Sequence, residues 1–164
     1  MKCSMCENNK TLKKSTITYK YKDCGLDNVI LIGVTSYRCD KCGEEYISFG
    51  NLENLHNTIA VLLLKKRDLL TGKEIRFLRK HLGYSGAMFS RLIGYGHEAI
   101  SRIETGANPV TESFDRLVRF TVATKLPDRE YDLHDQILNN SGTKMNRIEL
   151  TSIGHGNWKL KKAA

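Results

Sequence analysis

No apolar run in this sequence approaches the roughly 20 residues that a membrane-spanning helix requires; the longest, Ile59 to Leu64, falls far short. Room for a secretory leader is also lacking, because Met1-Lys2-Cys3 puts a cysteine where a basic region and an apolar stretch would have to stand. The expected setting is the cytoplasm, in association with the nucleoid and without a membrane partner. Catalytic patterns are missing as well. His56, His81, His97, His134 and His155 form no H-E-x-x-H, and no serine or cysteine occupies a nucleophile elbow or a P-loop. Enzymatic chemistry is therefore not expected, and each histidine reads as a surface or cap residue. Acidic residues are in deficit: 18 Asp and Glu against 26 Lys and Arg leave a net charge of +8 and a pI near 9.3. Such an excess points to a polyanion, in this compartment nucleic acid. Much of it lies mid-chain, where Lys65, Lys66, Arg67, Lys73, Arg76, Arg79, Lys80, Arg91 and Arg102 face only Asp68, Glu74 and Glu98. That stretch is the expected electrostatic footprint, with Lys66 among the phosphate contacts.

What the sequence does have is two Cys-x-x-Cys pairs, Cys3/Cys6 and Cys39/Cys42. Each pair can present two thiolates from one tight turn, and two such turns supply the four sulfur ligands of a structural zinc ion. Four cysteines leave no open coordination position, so one such Zn2+ per chain would hold structure and not bind substrate. Redox dithiols would need a thioredoxin-like βαβ frame, and disulfides an oxidising compartment; the sequence suggests neither. Cys24, in the turn Lys22-Asp23-Cys24-Gly25, is the odd thiol and reads as a free one. Around it, Ser15 to Lys22 alternates with period two, and Val29 to Tyr37 is β-branched and apolar, so the two form a hairpin. A short strand over Glu45 to Ser48 completes a zinc ribbon.

From Asn51 to Leu70, Leu52, Leu55, Ile59, Leu62 and Leu63 recur at spacings of three and four, the mark of an amphipathic helix linking two halves. Thr71-Gly72-Lys73-Glu74 is a capping box that opens a helix running towards Gly83. Ser85 then caps a short helix to Ile93. Gly94-Tyr95-Gly96 makes the turn, and a third helix runs from His97 to Thr105, closed by Gly106. Two short helices about a glycine-containing turn are the helix-turn-helix arrangement. Glu112 to Lys125 forms a further helix whose stripe of Phe114, Leu117, Val118 and Val122 suits either a core or a dimer interface. Beyond it, Asp132 to Asn139 reads as one more helix, and Trp158 to Lys162 as a basic tail on a solvated extension.

The segment Leu82 to Gly106 resembles the Xre/Cro helix-turn-helix, whose recurrent positions here are Leu82, Gly83, Ser85, Gly94, Ile100, Ser101, Glu104 and Gly106. On that pattern Ile100 and Ile103 face the domain core, while His97, Glu98, Ser101 and Arg102 face the major groove. Ser85, Arg91 and Gly96 complete the candidate DNA-contacting set. Glu104 reads better as a buried partner of Arg79 than as a groove residue. Together with the Cys-x-x-Cys pairs and Leu70-Thr-Gly-Lys-Glu-Ile-Arg-Phe-Leu-Arg-Lys80, the chain resembles the MqsA/YgiT zinc-finger antitoxins over residues 1 to about 125. The resemblance implies a homodimer on palindromic operator DNA, repression of its own operon and a cognate ribonuclease toxin. It also implies that Arg102 reads a base. Two departures are visible: Glu98 stands where the family has a base-reading asparagine, and Gly86 where the Xre helix usually has glutamine.

The expected architecture is thus α+β: a zinc-ribbon domain over 1–49, a linking helix over 50–70, an all-α helix-turn-helix domain over 71–125 and a C-terminal extension over 126–164. Other readings are a stand-alone Xre-type regulator of a mobile element, its ribbon serving as sensor or interaction module, and a ribbon that mainly binds RNA.

Overall fold

The computed structural model describes residues 3–6, 12–125, 144–154 and 156–161. They form five strands and five helices: β1 (Lys13–Lys20), β2 (Val29–Arg38), β3 (Glu45–Ser48), α1 (Leu52–Leu64), α2 (Gly72–His81), α3 (Gly86–Ile93), α4 (His97–Thr105), α5 (Glu112–Ala123), β4 (Ile148–Ser152) and β5 (Trp158–Leu160). The expected helix over Asp132 to Asn139 lies outside the described residues. Two compact units result. One takes Met1–Tyr21, Asn28–Leu55 and Arg147–Ala164; the other takes Lys22–Asp27 and His56–Asn146.

In the first unit β2 is the central strand. It pairs antiparallel with β1 along one edge; along the other its second half pairs with β3 and its first half, in parallel, with β4. β5 then pairs antiparallel with β4. Val29 and Leu31 are buried before Gly33, and Val34 and Ser36 after it. That change of parity would turn the strand's apolar face to solvent, but Gly33 is skipped in the pairing with β1, where Ile17 meets Val34 and Thr18 meets Ile32. The bulge needs a left-handed backbone, φ 85° here, which glycine adopts without a side-chain clash.

The C-terminal residues correct the sequence reading. Instead of a basic tail on a solvated extension, Ile148 and Leu150 are buried opposite Val29 and Leu31, and Trp158 is buried with its indole N–H donating to the Phe49 carbonyl at 3.0 Å. The Trp158 amide donates to Asn54 Oδ1 at 2.9 Å, and the Asn51 amide to the Gly156 carbonyl at 3.1 Å. A Cβ on Gly50 would lie 2.7 Å from the Gly156 Cα, so the backbones meet where only glycines fit. The ribbon strands thus belong to a five-stranded sheet built from both ends of the chain.

In the helical unit the local signals hold. The Thr71 hydroxyl accepts from the Glu74 amide at 3.3 Å, while Glu74 Oε2 accepts from the Thr71 amide at 2.7 Å, closing the capping box. Ser85 Oγ caps α3 by accepting from the Met88 amide, and Gly94 and Gly106 end α3 and α4 in the left-handed region at φ 70° and 81°. Ile75, Leu78, Phe89, Ile100, Phe114, Val118 and Val122 are buried, so the α5 stripe is chiefly core, with Leu117 half-buried. A Cβ on Gly72 would sit 2.0 Å from the Ile103 carbonyl oxygen, which lets α2 start against α4 with no side chain between.

Candidate metal centre and nucleic-acid interface

Cys3 to Cys6 forms a turn, and Cys39 to Cys42 follows the end of β2, where the Cys39 amide donates to Glu44 O and the Gly43 amide to Cys39 O, both at 2.9 Å. Gly43, at φ 76°, returns the chain into β3. These two knuckles bring all four sulfurs within 4.8 Å of one another. Cys3 Sγ lies 3.5 Å from Cys42 Sγ, and Cys6 Sγ 3.6 Å from Cys39 Sγ. Tetrahedral coordination with metal–sulfur bonds near 2.3 Å requires sulfurs about 3.8 Å apart, a spacing close to the two measured here, so the group could hold a metal ion. Cys3 and Cys39 are buried with Leu12, against which Tyr37 and Tyr46 pack.

Tyr46 is a residue the sequence reading missed. Its hydroxyl lies 3.5 Å from Cys3 Sγ, 2.9 Å from Ser4 Oγ and accepts from the Ser4 amide at 3.2 Å, tying the first knuckle to β3. The Tyr46 hydroxyl is the largest influence lowering the Cys3 thiol to about 6. Cys42 is pushed up to about 12: the Glu44 amide acts to lower it, but the bonds shared with Cys6, then burial and the bonds shared with Cys3 and Cys39, outweigh that. Metal binding to such a group releases the thiol protons, so its affinity rises with pH. Cys24 lies outside this sulfur group; burial raises its thiol.

On α4, Ile100 and Ile103 are buried, whereas His97, Glu98, Ser101 and Arg102 are all exposed, the division expected for a helix with one face on a core. Gly96 is the N-cap of α4 and makes no side-chain cap bond. Arg91 is exposed on α3, and Ser85, also exposed, spends its hydroxyl on the cap. A Cβ on Gly86 would lie 2.8 Å from His97 Nε2, so a larger residue there requires the exposed imidazole to swing aside. Glu104 is buried and receives Arg79 in a fork, Nε to Oε1 at 2.6 Å and Nη2 to Oε2 at 2.8 Å, with Nη1 donating to the Tyr84 carbonyl at 2.7 Å.

Lys66 requires a correction. Expected as a phosphate contact, it is 9% exposed and its Nζ donates to both Glu74 oxygens, at 3.1 and 2.9 Å. The basic run of the sequence could not reveal this, because its partner is the carboxylate already assigned to the capping box. Lys66→Ala therefore unpairs Glu74 and removes no phosphate contact. A second internal network was also missed: Arg119 pairs with Asp115 at 2.8 Å and donates to the carbonyls of Leu63, Leu64, Lys66 and Asp68, at the end of α1 and just past it.

A four-cysteine group able to hold a metal ion, in the sheet unit, and short helices in the other unit define a two-part α+β protein. Residues 1–134 match the family described as the antitoxin component of bacterial toxin-antitoxin systems, MqsA, and the chain belongs to that family. Comparison with curated proteins and with solved structures found no match. Among the described residues no helix is long and apolar enough to cross a membrane.

Proposed function

We propose that this antitoxin is a sequence-specific DNA-binding repressor of its own operon, a non-enzymatic cytoplasmic homodimer on palindromic operator DNA that also holds a ribonuclease toxin. The observation that carries the reading is α4 itself, whose exposed His97, Glu98, Ser101 and Arg102 back onto buried Ile100 and Ile103 behind a glycine turn. We read α3 and α4 as the helix-turn-helix, with Arg102 donating to guanine O6 and N7 and Glu98 accepting from cytosine N4. Arg91, Ser85 and Gly96 would then lie along the phosphates. The bound metal is zinc, held by Cys3, Cys6, Cys39 and Cys42, and it supplies a structural cross-link. Exposed Phe120 on α5 supports a dimer contact.

Arg102→Ala tests the assignment. The expected loss is about 1–3 kcal/mol on the selected operator, with relaxed preference at one base pair per half-site and little change on random duplex. Equal loss on both duplexes would restrict Arg102 to the phosphate backbone.

A further inference from the structure

A basic surface lies on α2, made of residues other than those assigned to base reading on α4. There the structure has a cavity of ≈ 420 Å³, within the size range of small-ligand sites. Its lining belongs wholly to the helical unit. Lys73, Arg76 and Lys80 fall at i, i+3 and i+7 and so share one helical face, and against these three cations Asp23 is the only lining carboxylate. Arg76 and Lys80 are exposed. Lys73 pairs with Asp27, but both side chains are more than half exposed, and such a pair opens at little cost.

The other wall is aromatic. Phe77 and His81 lie parallel, with an interplanar angle of 3° and centroids 6.0 Å apart, and His56 stands edge-on to both at 5.7 and 6.4 Å. Burial lowers the His56 pKa, which keeps that ring neutral around pH 7. A cavity with cations on one side and the half-buried His56 and His81 rings, backed by buried Phe77, on the other matches a ligand that is itself divided. A guanidinium and an ammonium suit a phosphate, and an aromatic wall suits a planar heterocycle. An aliphatic dianion would leave the rings unused, and a neutral aromatic would leave the cations unused.

We propose that this cavity is a binding site for a small nucleotide-class ligand, its phosphate on Arg76 and Lys80 and its base against the half-buried His81 ring, which Phe77 backs. None of these residues belongs to the four-cysteine group or to the exposed face of α4, so the proposal does not rest on base reading by Arg102.

Calorimetric titration of the full, metal-loaded chain with AMP, GMP, CMP and UMP, and with adenosine and inorganic phosphate as controls, tests it. At least one nucleotide should bind with a Kd below about 1 mM, and the control lacking either half should bind at least about tenfold more weakly. The double substitution Arg76→Gln with Lys80→Gln, confined to exposed side chains, should weaken the nucleotide by about tenfold or more, while Arg102→Ala should leave it unchanged. Three results would overturn the proposal: no nucleotide bound at several times that concentration, phosphate bound as tightly as nucleotide, or a double variant that binds like the parent. A double variant that loses affinity for duplex DNA while the parent ignores nucleotides would reassign the face to the DNA backbone.

Discussion

In the sheet unit the functional groups taken out of water are thiols, Cys3 and Cys39, two corners of a four-sulfur group; in the helical unit they are ion pairs, Lys66 with Glu74, Arg79 with Glu104 and Arg119 with Asp115. The thiols reach their full effect only when an ion is supplied from outside. The ion pairs are complete within the chain: each charge has its partner, and Arg119 further satisfies four backbone carbonyls. A structural zinc contributes on the order of 10 kcal/mol of apparent binding free energy to folding. A buried pair contributes far less net stability, yet removing one partner strands the other and costs about 3–5 kcal/mol. On the proposed zinc assignment, one unit is therefore conditional on metal, and the other on mutual pairing.

The largest effect that would sharpen this contrast is loss of a buried ligand. Cys39→Ser should abolish stoichiometric metal in elemental analysis and leave β1 to β3 open to proteolysis, a loss on the order of 10 kcal/mol. Next is Arg119→Ala, which orphans Asp115 and the carbonyls at the end of α1; denaturant melts should show about 3–5 kcal/mol lost from the helical unit with metal content unchanged. Equal damage to metal content would break the comparison. Smaller again is Gly72→Ala, whose Cβ would press on the Ile103 carbonyl and force α2 from α4 at about 1–3 kcal/mol.

The smallest effect concerns pH. Burial depresses the folded-state pKa of His56, so the folded chain binds fewer protons there than the unfolded one. Its contribution is in place above the ordinary value near 6.5 and is lost as pH falls below it. Thermal midpoints of the helical transition should drop between pH 7.5 and 5.5, about one unit either side of that value, and the drop should shrink in His56→Phe.

The sequence revealed what is written locally. The helix starts at Thr71 and Ser85 and the stops at Gly94 and Gly106 are chemistry within four residues of the place they act, and β3 lies over the expected Glu45 to Ser48. The clustering of the four cysteines was legible from their paired spacing. β4 and β5 were not. They are five and three residues long, interrupted by Gly154 and Gly156, and their buried Ile148, Leu150 and Trp158 find partners across almost the whole chain, at β2 and Phe49. Alternating Ile148 and Leu150 beside a lone tryptophan was the available hint. Lys66 failed through another route: a lysine in a basic run looks solvated until the fold puts a carboxylate on it. Arg79 with Glu104 could be read from the acid's side only, because the helix-turn-helix pattern takes Glu104 out of the groove-facing set, whereas Arg79 stood in the same basic run as Lys66.

The contrast between the units is tested most directly by hydrogen exchange of the full chain, followed by peptide mass spectrometry, with metal bound and after chelation. Chelation should strip protection from β1, β2 and β3 while α2 to α5 keep theirs. Loss of protection from sheet and helices together, or from neither, would contradict the account.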